Sequence, residues 1–450
     1  VHKRVGGSLV FSSLYFLFLY LPIVLFLYYI TPLKWRNLLL LLVNLVFYAW
    51  GEPVYIFLML ISILFNYFCG MDIALKAGRK SQVRSLIFTI VVNLFILGFF
   101  KYYGFIVTNL NAILPFYIPY RKLELPIGIS FYTFQTLSYI IDVYRGNVDV
   151  QVNLIDFGTY VTMFPQLIAG PIVQYADVER QLRERKESLT KFGYGAWFFV
   201  MGLAKKVLLA NTIGSIYENI AAMDGMSVVT AWLGCLAYTF QIYFDFSGYS
   251  DMAVGLGKMF GFEFMQNFNY PYISTSIREF WRRWHISLGS WFRDYVYIPL
   301  GGSRCSKGKM IRNLLVVWLF TGLWHGAGWN FLLWGFLLFV LVAVGKLCLL
   351  KVFRRVPILG HVYMILAIPL SWLIFAISDP GQIWIYVQRL FPFLAAAGRF
   401  SWFAGDYLKY GKMYLITLLA GMILITPLPR KLYERYKGSM WSALVLILIF

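Results

Sequence analysis

Apolar runs separated by short polar breaks occupy nearly the whole chain, and many are long enough to cross about 30 Å of hydrocarbon. They fall at residues 10–30, 35–50, 53–75, 85–107, 125–141, 192–210, 228–246, 313–327, 329–350, 362–378 and 412–425. This pattern predicts an all-α polytopic membrane protein with about eleven transmembrane helices. The first run carries no charge, and no small-residue cleavage site follows it, so it reads as a retained span and not a signal peptide. Residues 1–8, VHKRVGGS, read as an extraneous or disordered leader, and 9–450 as a single integral-membrane domain. The apolar stretch 440–450 is about half a span, so the last helix reads as cut short.

The polar breaks are mostly basic, at 34–36, 76–84, 180–191, 304–312, 351–355 and 430–437. Such clusters mark cytoplasmic loops, and the first two are separated by two crossings, as that rule requires. The region 142–191 fits less simply, because both of its ends are basic with only 154–173 between them. A re-entrant or paired-helix segment there would satisfy both ends, its irregular backbone lining a cavity or buried in protein. No repeat of 20 to 50 residues is visible, nor are the paired broken segments of many transporters.

Composition sharpens the class. Of 450 residues, 60% are apolar and 13% charged, about half the charged share of a soluble domain, which excludes a soluble enzyme, a disordered chain and a disulfide scaffold. Forty Lys and Arg against 20 Asp and Glu give +20, but the cations lie in the loops and form no separate stripe, so nucleic acid is not the expected partner. They face lipid headgroups or an anionic donor. Cys69, Cys235, Cys305 and Cys348 lie far apart, so neither a zinc site nor a redox pair is readable. Cys305, in a basic juxtamembrane loop, suits lipidation; the plainer reading is four small hydrophobes.

Of the four histidines, His2 lies in the leader and His361 at a helix start after a basic loop. His325 stands in Thr321-Gly322-Leu323-Trp324-His325-Gly326, thirteen residues beyond Arg312, or roughly 20 Å along a helix. Gly322 and Gly326 form a small-xxx-small pair that admits a neighbouring backbone. An ionisable residue at such depth marks a functional site by default. The cost of burying charge favours a neutral imidazole, the form that serves as a general base. A core histidine bonded to a neighbouring helix is the competing reading.

His285 stands in 276–295, SIREFWRRWHISLGSWFRDY. Read as one helix, this segment puts Ile277, Phe280, Trp281, Trp284, His285, Leu288, Trp291 and Phe292 on one face, and Arg278, Arg282 and Arg293 on another. An interfacial helix of this kind would close one end of a cavity that His325 closes from the other. Arg282 and Arg283 suit the phosphates of a donor, although snorkelling to headgroups competes, and Trp281, Trp284 and Trp324 are candidate substrate contacts beside them. Asp245, in Gln241-Ile242-Tyr243-Phe244-Asp245-Phe246-Ser247-Gly248-Tyr249-Ser250-Asp251, either orients a histidine or ends a span in solvent.

The absences narrow the chemistry. The chain has no G-x-x-x-x-G-K-[ST], no close histidine pair for a metal and no G-x-S-x-G elbow. Direct attack on a donor, assisted by a base, remains.

At these residues the chain resembles the membrane-bound O-acyltransferase family and, within it, the branch of bacterial membrane proteins that O-acetylate alginate. The likeness runs through VFSSLYFLFLYLP at 10–22, LPIGISFYTFQTLSYIIDVYRG at 125–146, FPQLIAGPI at 164–172, FDFSGYSDMAVGLGKMFG at 244–261, FWRRWHISLGSWFRDYVYIPLGG at 280–302 and TGLWHGAGWNFLLWG at 321–335.

The resemblance implies a ring of transmembrane helices around a thinned centre, with re-entrant or interfacial helices and a central tunnel. It implies that His325 is catalytic, with His285 as a second catalytic histidine. It implies no permanent cofactor, a cytoplasmic thioester donor such as acetyl-CoA, and a polysaccharide acceptor outside, reached directly or through an extracytoplasmic acetyltransferase partner. The setting is the bacterial cytoplasmic membrane. On this reading His325 deprotonates the acceptor hydroxyl while His285 and nearby polar groups orient the reactants. The rival readings are D-alanyl transfer to teichoic acid from a carrier-protein thioester, a channel or transporter, and a non-catalytic scaffold. The family's usual final stretch is missing, which leaves the last helix and any partner contact there open.

Overall fold

A computed structural model describes residues 10–450 except 122, 224, 397, 403–404, 437–438, 442–443 and 445–450. The leader and most of the half-span 440–450 thus lie outside the described residues. Among the described residues the chain is helical throughout, without strands. In order come α1 (Phe16–Ile30), α2 (Arg36–Gly51), α3 (Ile56–Leu75), α4 (Arg79–Ile113), α5 (Ile129–Arg145), α6 (Leu154–Thr162), α7 (Phe164–Leu167), α8 (Tyr175–Glu184) and α9 (Leu189–Ala221). There follow α10 (Val228–Met259), α11 (Ile277–Arg283), α12 (Ile286–Phe292), α13 (Lys307–His325), α14 (Trp329–Arg355) and α15 (Pro357–Ala376), then shorter helices to residue 436.

Each of the eleven apolar runs is helical. Among the described residues, however, five helices are long and apolar enough to span a membrane, α3, α4, α9, α14 and α15, with Asp406–Leu424 and Leu428–Tyr436 as a sixth if that pair, bent by 71°, is one span. Length and polarity separate the rest: α2 has 16 residues, α5 has 17, and the 32-residue α10 carries Gln241, Asp245, Ser247 and Asp251. Where the loop arithmetic asks for a broken segment, α6 and α7 are two short helices parted at Met163, buried from Phe157 onward.

Contacts divide the chain into two compact units, 1–199 with 249–266, and 200–248 with 267–450. In the first, α2 packs on α6, and α3 and α5 on α4. Rings of Phe11, Phe16, Phe47 and Phe164 lie 4.9 to 6.1 Å apart. Asn66 of α3 and Asn93 of α4 exchange amide hydrogen bonds of 3.1 and 2.9 Å, which satisfies two polar groups inside apolar helices. Helix α5 stops at Gly146, whose φ of 72° lets its own N–H and that of Asn147 return to the last carbonyls, a left-handed closure that glycine adopts at little cost.

The second unit is organised by the α13–α14 hairpin. A Cβ on Gly322 would stand 2.4 Å from the Phe331 carbonyl oxygen, and one on Gly335 2.5 Å from that of Trp318. The two helices therefore touch backbone to backbone. The small-residue stripe expected at Gly322 and Gly326 has its partner in the next helix, where Phe331 covers both glycines.

Candidate active site

The segment around His285 departs from a single amphipathic helix. It is two seven-residue helices, α11 and α12, broken at Trp284 and His285, with His285 left-handed at φ 44° and ψ 56°. That conformation costs a non-glycine residue roughly 1 kcal/mol or more. It persists because residues 267–269 are laced to both helices: Ile286 N–H donates to the Asn267 carbonyl, and Asn269 N–H to that of Arg283, each at 2.9 Å. The division into faces survives the break. Ile277, Phe280, Trp284, His285, Leu288, Trp291 and Phe292 are buried and Trp281 half-buried, while Arg278, Arg282 and Arg293 are exposed.

Asn267 holds the histidine as well as the backbone. Its Oδ1 accepts from Ser287 N–H at 3.1 Å and from the Ser287 hydroxyl at 2.9 Å, and lies 3.1 Å from His285 Nδ1. The other ring nitrogen, His285 Nε2, is buried without a partner among the described residues. Burial, and next the field of His325, push the His285 imidazole well below its usual titration range.

His325 is the last residue of α13 and is half-buried. Trp324 stands by both histidines, its ring centroid 5.9 Å from that of His285 and 5.0 Å from that of His325. Trp334 and Phe375 wall the far side of His325 at 5.0 and 5.3 Å, and Phe246 meets His285 edge-on at 4.7 Å. Behind them Trp281 packs on Trp318 and Trp334, and Trp334 on Trp372.

A cavity of about 350 Å³ joins these parts, lined by His285 and His325 together with Trp281, Trp284, Trp318 and Thr321, and by Arg278, Arg282 and Arg293 where it meets the surface. Partial burial, then the charges of Arg282 and Arg354, pull Arg278 below the usual arginine range. Among the described residues no carboxylate lies within ion-pair distance of Arg278 or Arg282, whereas Arg293 pairs with Asp294 at 2.7 Å. Clustered guanidiniums without a counter-charge are groups that suit a multiply charged anion.

The remaining candidates are placed elsewhere. Arg283 binds Glu279 through Nε and Nη2, at 3.1 and 2.9 Å, and does not line the cavity. Asp245 pairs with Lys206 of α9 and also lies off the cavity. Sequence reasoning passed over Asn267, Trp334 and Phe375. Asn267 sits in Asn-Phe-Asn-Tyr-Pro, which signals only a turn before proline, and an aromatic inside an apolar helix carries no mark of what it touches.

The family model for the membrane-bound O-acyltransferases matches residues 47–380, and the chain belongs to that family: it is a multi-pass membrane O-acyltransferase. Among individual proteins it is 45% identical to the probable alginate O-acetylase AlgI of Azotobacter vinelandii, over 86% of this chain and 78% of that one. It is 45% identical to the protein of the same description in Pseudomonas aeruginosa, over 86% and 75%. The peptidoglycan O-acetyltransferase of Helicobacter pylori is 36% identical over 73% and 69%.

Proposed function

We propose that this protein moves an acetyl group from a cytoplasmic thioester, acetyl-CoA, across the bacterial inner membrane for O-acetylation of an extracytoplasmic polysaccharide such as alginate, directly or through a partner transferase. The observation that carries the reading is the single cavity lined both by His285 and His325 and by exposed arginines. Its size suits the thioester end of a donor, with the nucleotide phosphates at Arg278 and Arg282. The alginate-acetylating relatives support the acceptor class.

The chemistry balances without a further reagent. An imidazole of the His325 and His285 pair takes the proton of an acceptor hydroxyl as its oxygen attacks the thioester carbonyl. The new C–O bond replaces the C–S bond, and the thiolate recovers the proton. The Trp281 indole N–H, buried and unpaired among the described residues on the cavity wall, is a donor available to the carbonyl oxygen, where negative charge develops. Holding both reactants in an aromatic enclosure lowers the entropic cost of their meeting and excludes competing water.

The test is acetyl transfer from labelled acetyl-CoA in membranes carrying wild-type or substituted protein, with donor binding and folding checked in parallel. His325→Ala is expected to lose roughly a hundredfold or more in rate while still binding donor. A folded, donor-binding H325A protein with normal acetylation would overturn the proposal, and an aminoacyl carrier protein serving in place of acetyl-CoA would redirect it to D-alanyl transfer.

A further inference from the structure

The cations continue past the cavity. Arg282 and Arg354 both act on Arg278 through their charge, but only Arg282 lines the cavity with it. Arg354 is exposed in the last turn of α14. Backbone packing carries it there: a Cβ on Gly360 would stand 2.5 Å from the Thr275 carbonyl oxygen, so the start of α15 lies directly on the turn that leads into α11. The rings of Phe353 and Tyr363, 5.2 Å apart, hold the end of α14 against α15. On its other side α14 is tied to the segment after α12, because the Ser303 hydroxyl accepts from Lys346 at 3.1 Å and lies 2.9 Å from the Tyr297 hydroxyl. Among the described residues no carboxylate lies within ion-pair distance of Arg278, Arg282, Lys346 or Arg354.

Like charges gathered without a counter-charge repel one another, and anions that fill the gap relieve the repulsion. A coenzyme A thioester carries its phosphates in two places, a diphosphate at the end of the pantetheine arm and a monophosphate on the ribose 3′ oxygen. Arg278 and Arg282, at the cavity mouth, account for the first. Resting on the proposed acetyl-CoA donor, we infer that Arg354 is a specificity-determining residue that binds the ribose 3′-phosphate, and so selects free coenzyme A thioesters over thioesters of protein-bound phosphopantetheine, which lack that group. The order along the donor matches the order along the protein: acyl carbon at the histidines, diphosphate where the cavity meets the surface, 3′-phosphate just outside it. A guanidinium suits a terminal phosphate because its fork pairs with two oxygens at once. Lys346, held on Ser303, adds charge to the rim without such a fork.

Two donors separate this role from a general attraction for anions: acetyl-CoA and acetyl-3′-dephospho-CoA, which are identical at the thioester and the diphosphate. In membranes carrying the wild-type protein, the KM for the dephospho donor is expected to be roughly tenfold the higher, with kcat the same. Arg354→Ala should raise the KM for acetyl-CoA to that of the dephospho donor and leave the latter where it was, so that the ratio of the two falls from about ten to about one. Arg354→Lys, which keeps the charge and loses the fork, should fall between. Arg278→Ala is the contrast, expected to raise both KM values by the same factor. Because a merely structural change would move both donors together, the ratio reads the 3′-phosphate alone. A wild-type protein that does not discriminate between the donors, or an R354A protein that still prefers acetyl-CoA, would overturn the inference. If neither donor supports transfer while an aminoacyl carrier protein does, the acetyl-CoA reading itself fails; if acetyl-CoA serves and R354A changes nothing, only the role of Arg354 falls.

Discussion

Three exposed guanidiniums and two imidazoles line one cavity, and substituting each kind should move a different kinetic constant. Arg278 and Arg282 lack a carboxylate partner among the described residues, and a charge-assisted contact to phosphate is worth about 1.5–3 kcal/mol before solvent screening. Arg278→Ala and Arg282→Ala should each raise the KM for acetyl-CoA by roughly tenfold and leave kcat nearly unchanged, the effect shrinking as salt is added. Steady-state kinetics at low and high ionic strength measure this. Arg283→Ala should leave KM alone and lower thermal stability, because its guanidinium holds Glu279 and the Asn269 carbonyl. Among these residues the histidines were legible from sequence because an ionisable ring between apolar runs is rare and expensive. Arg282 was separated from Arg283 only by the fold, since neighbours in a chain leave a helix in directions about 100° apart. Asn267 was not legible at all, because its work is a hydrogen bond to a residue 18 positions away.

Helix α13 depends on its hairpin with α14, and that contact is made by glycine. A β-carbon at Gly335 would lie 2.5 Å from the Trp318 carbonyl oxygen, backbone that cannot swing aside as a side chain does. Gly335→Val should force the helices apart at a cost of about 1–3 kcal/mol or more, displacing the Trp334 and His325 rings with them. Thermal unfolding in detergent, followed by tryptophan fluorescence, should show a lowered Tm, together with reduced transfer. The close-packing face at Gly322 and Gly326 could be read in the sequence, and the fold supplies the next helix as its partner. The interruption between α11 and α12 could not. Arg-Arg-Trp-His-Ile-Ser holds no proline or glycine, and the left-handed turn at His285 is imposed by backbone bonds from residues 267–269. Local propensity loses there to a tertiary contact, while the buried and exposed faces, which depend only on period, stay as the periodicity sets them.

For the molecule as a whole, the eleven apolar runs and five clear spans describe the same chain by different criteria. Helix α5 is short and buried over most of its length, and α10 carries polar groups along 32 residues; both are built to face protein, so an average over a lipid-facing helix undervalues them. Sequence hydropathy counts what is apolar, and packing decides what meets lipid. Orientation remains testable through charge. Lys34 and Lys80 lie in basic breaks separated by α2 and α3, so two crossings there would put both on the cytoplasmic side, as the charge rule predicts. Single cysteines introduced as Lys34→Cys and Lys80→Cys in a cysteine-free background should both resist a membrane-impermeant maleimide in intact cells and react after the inner leaflet is opened. Opposite labelling of the two would require that α2 and α3 do not each cross.

The interlocked indoles of Trp281, Trp318, Trp334 and Trp372 have a bearing on which acyl groups pass. Trp281 and Trp318 line the cavity and are backed by Trp334 and Trp372, and rings braced against one another do not fold away as leucines or methionines do. A two-carbon acyl group asks nothing of such walls, whereas each added methylene meets a surface that does not yield. Transfer is therefore expected to fall off with acyl chain length when longer acyl-CoA donors are compared with acetyl-CoA, because these braced rings leave little room for added methylenes.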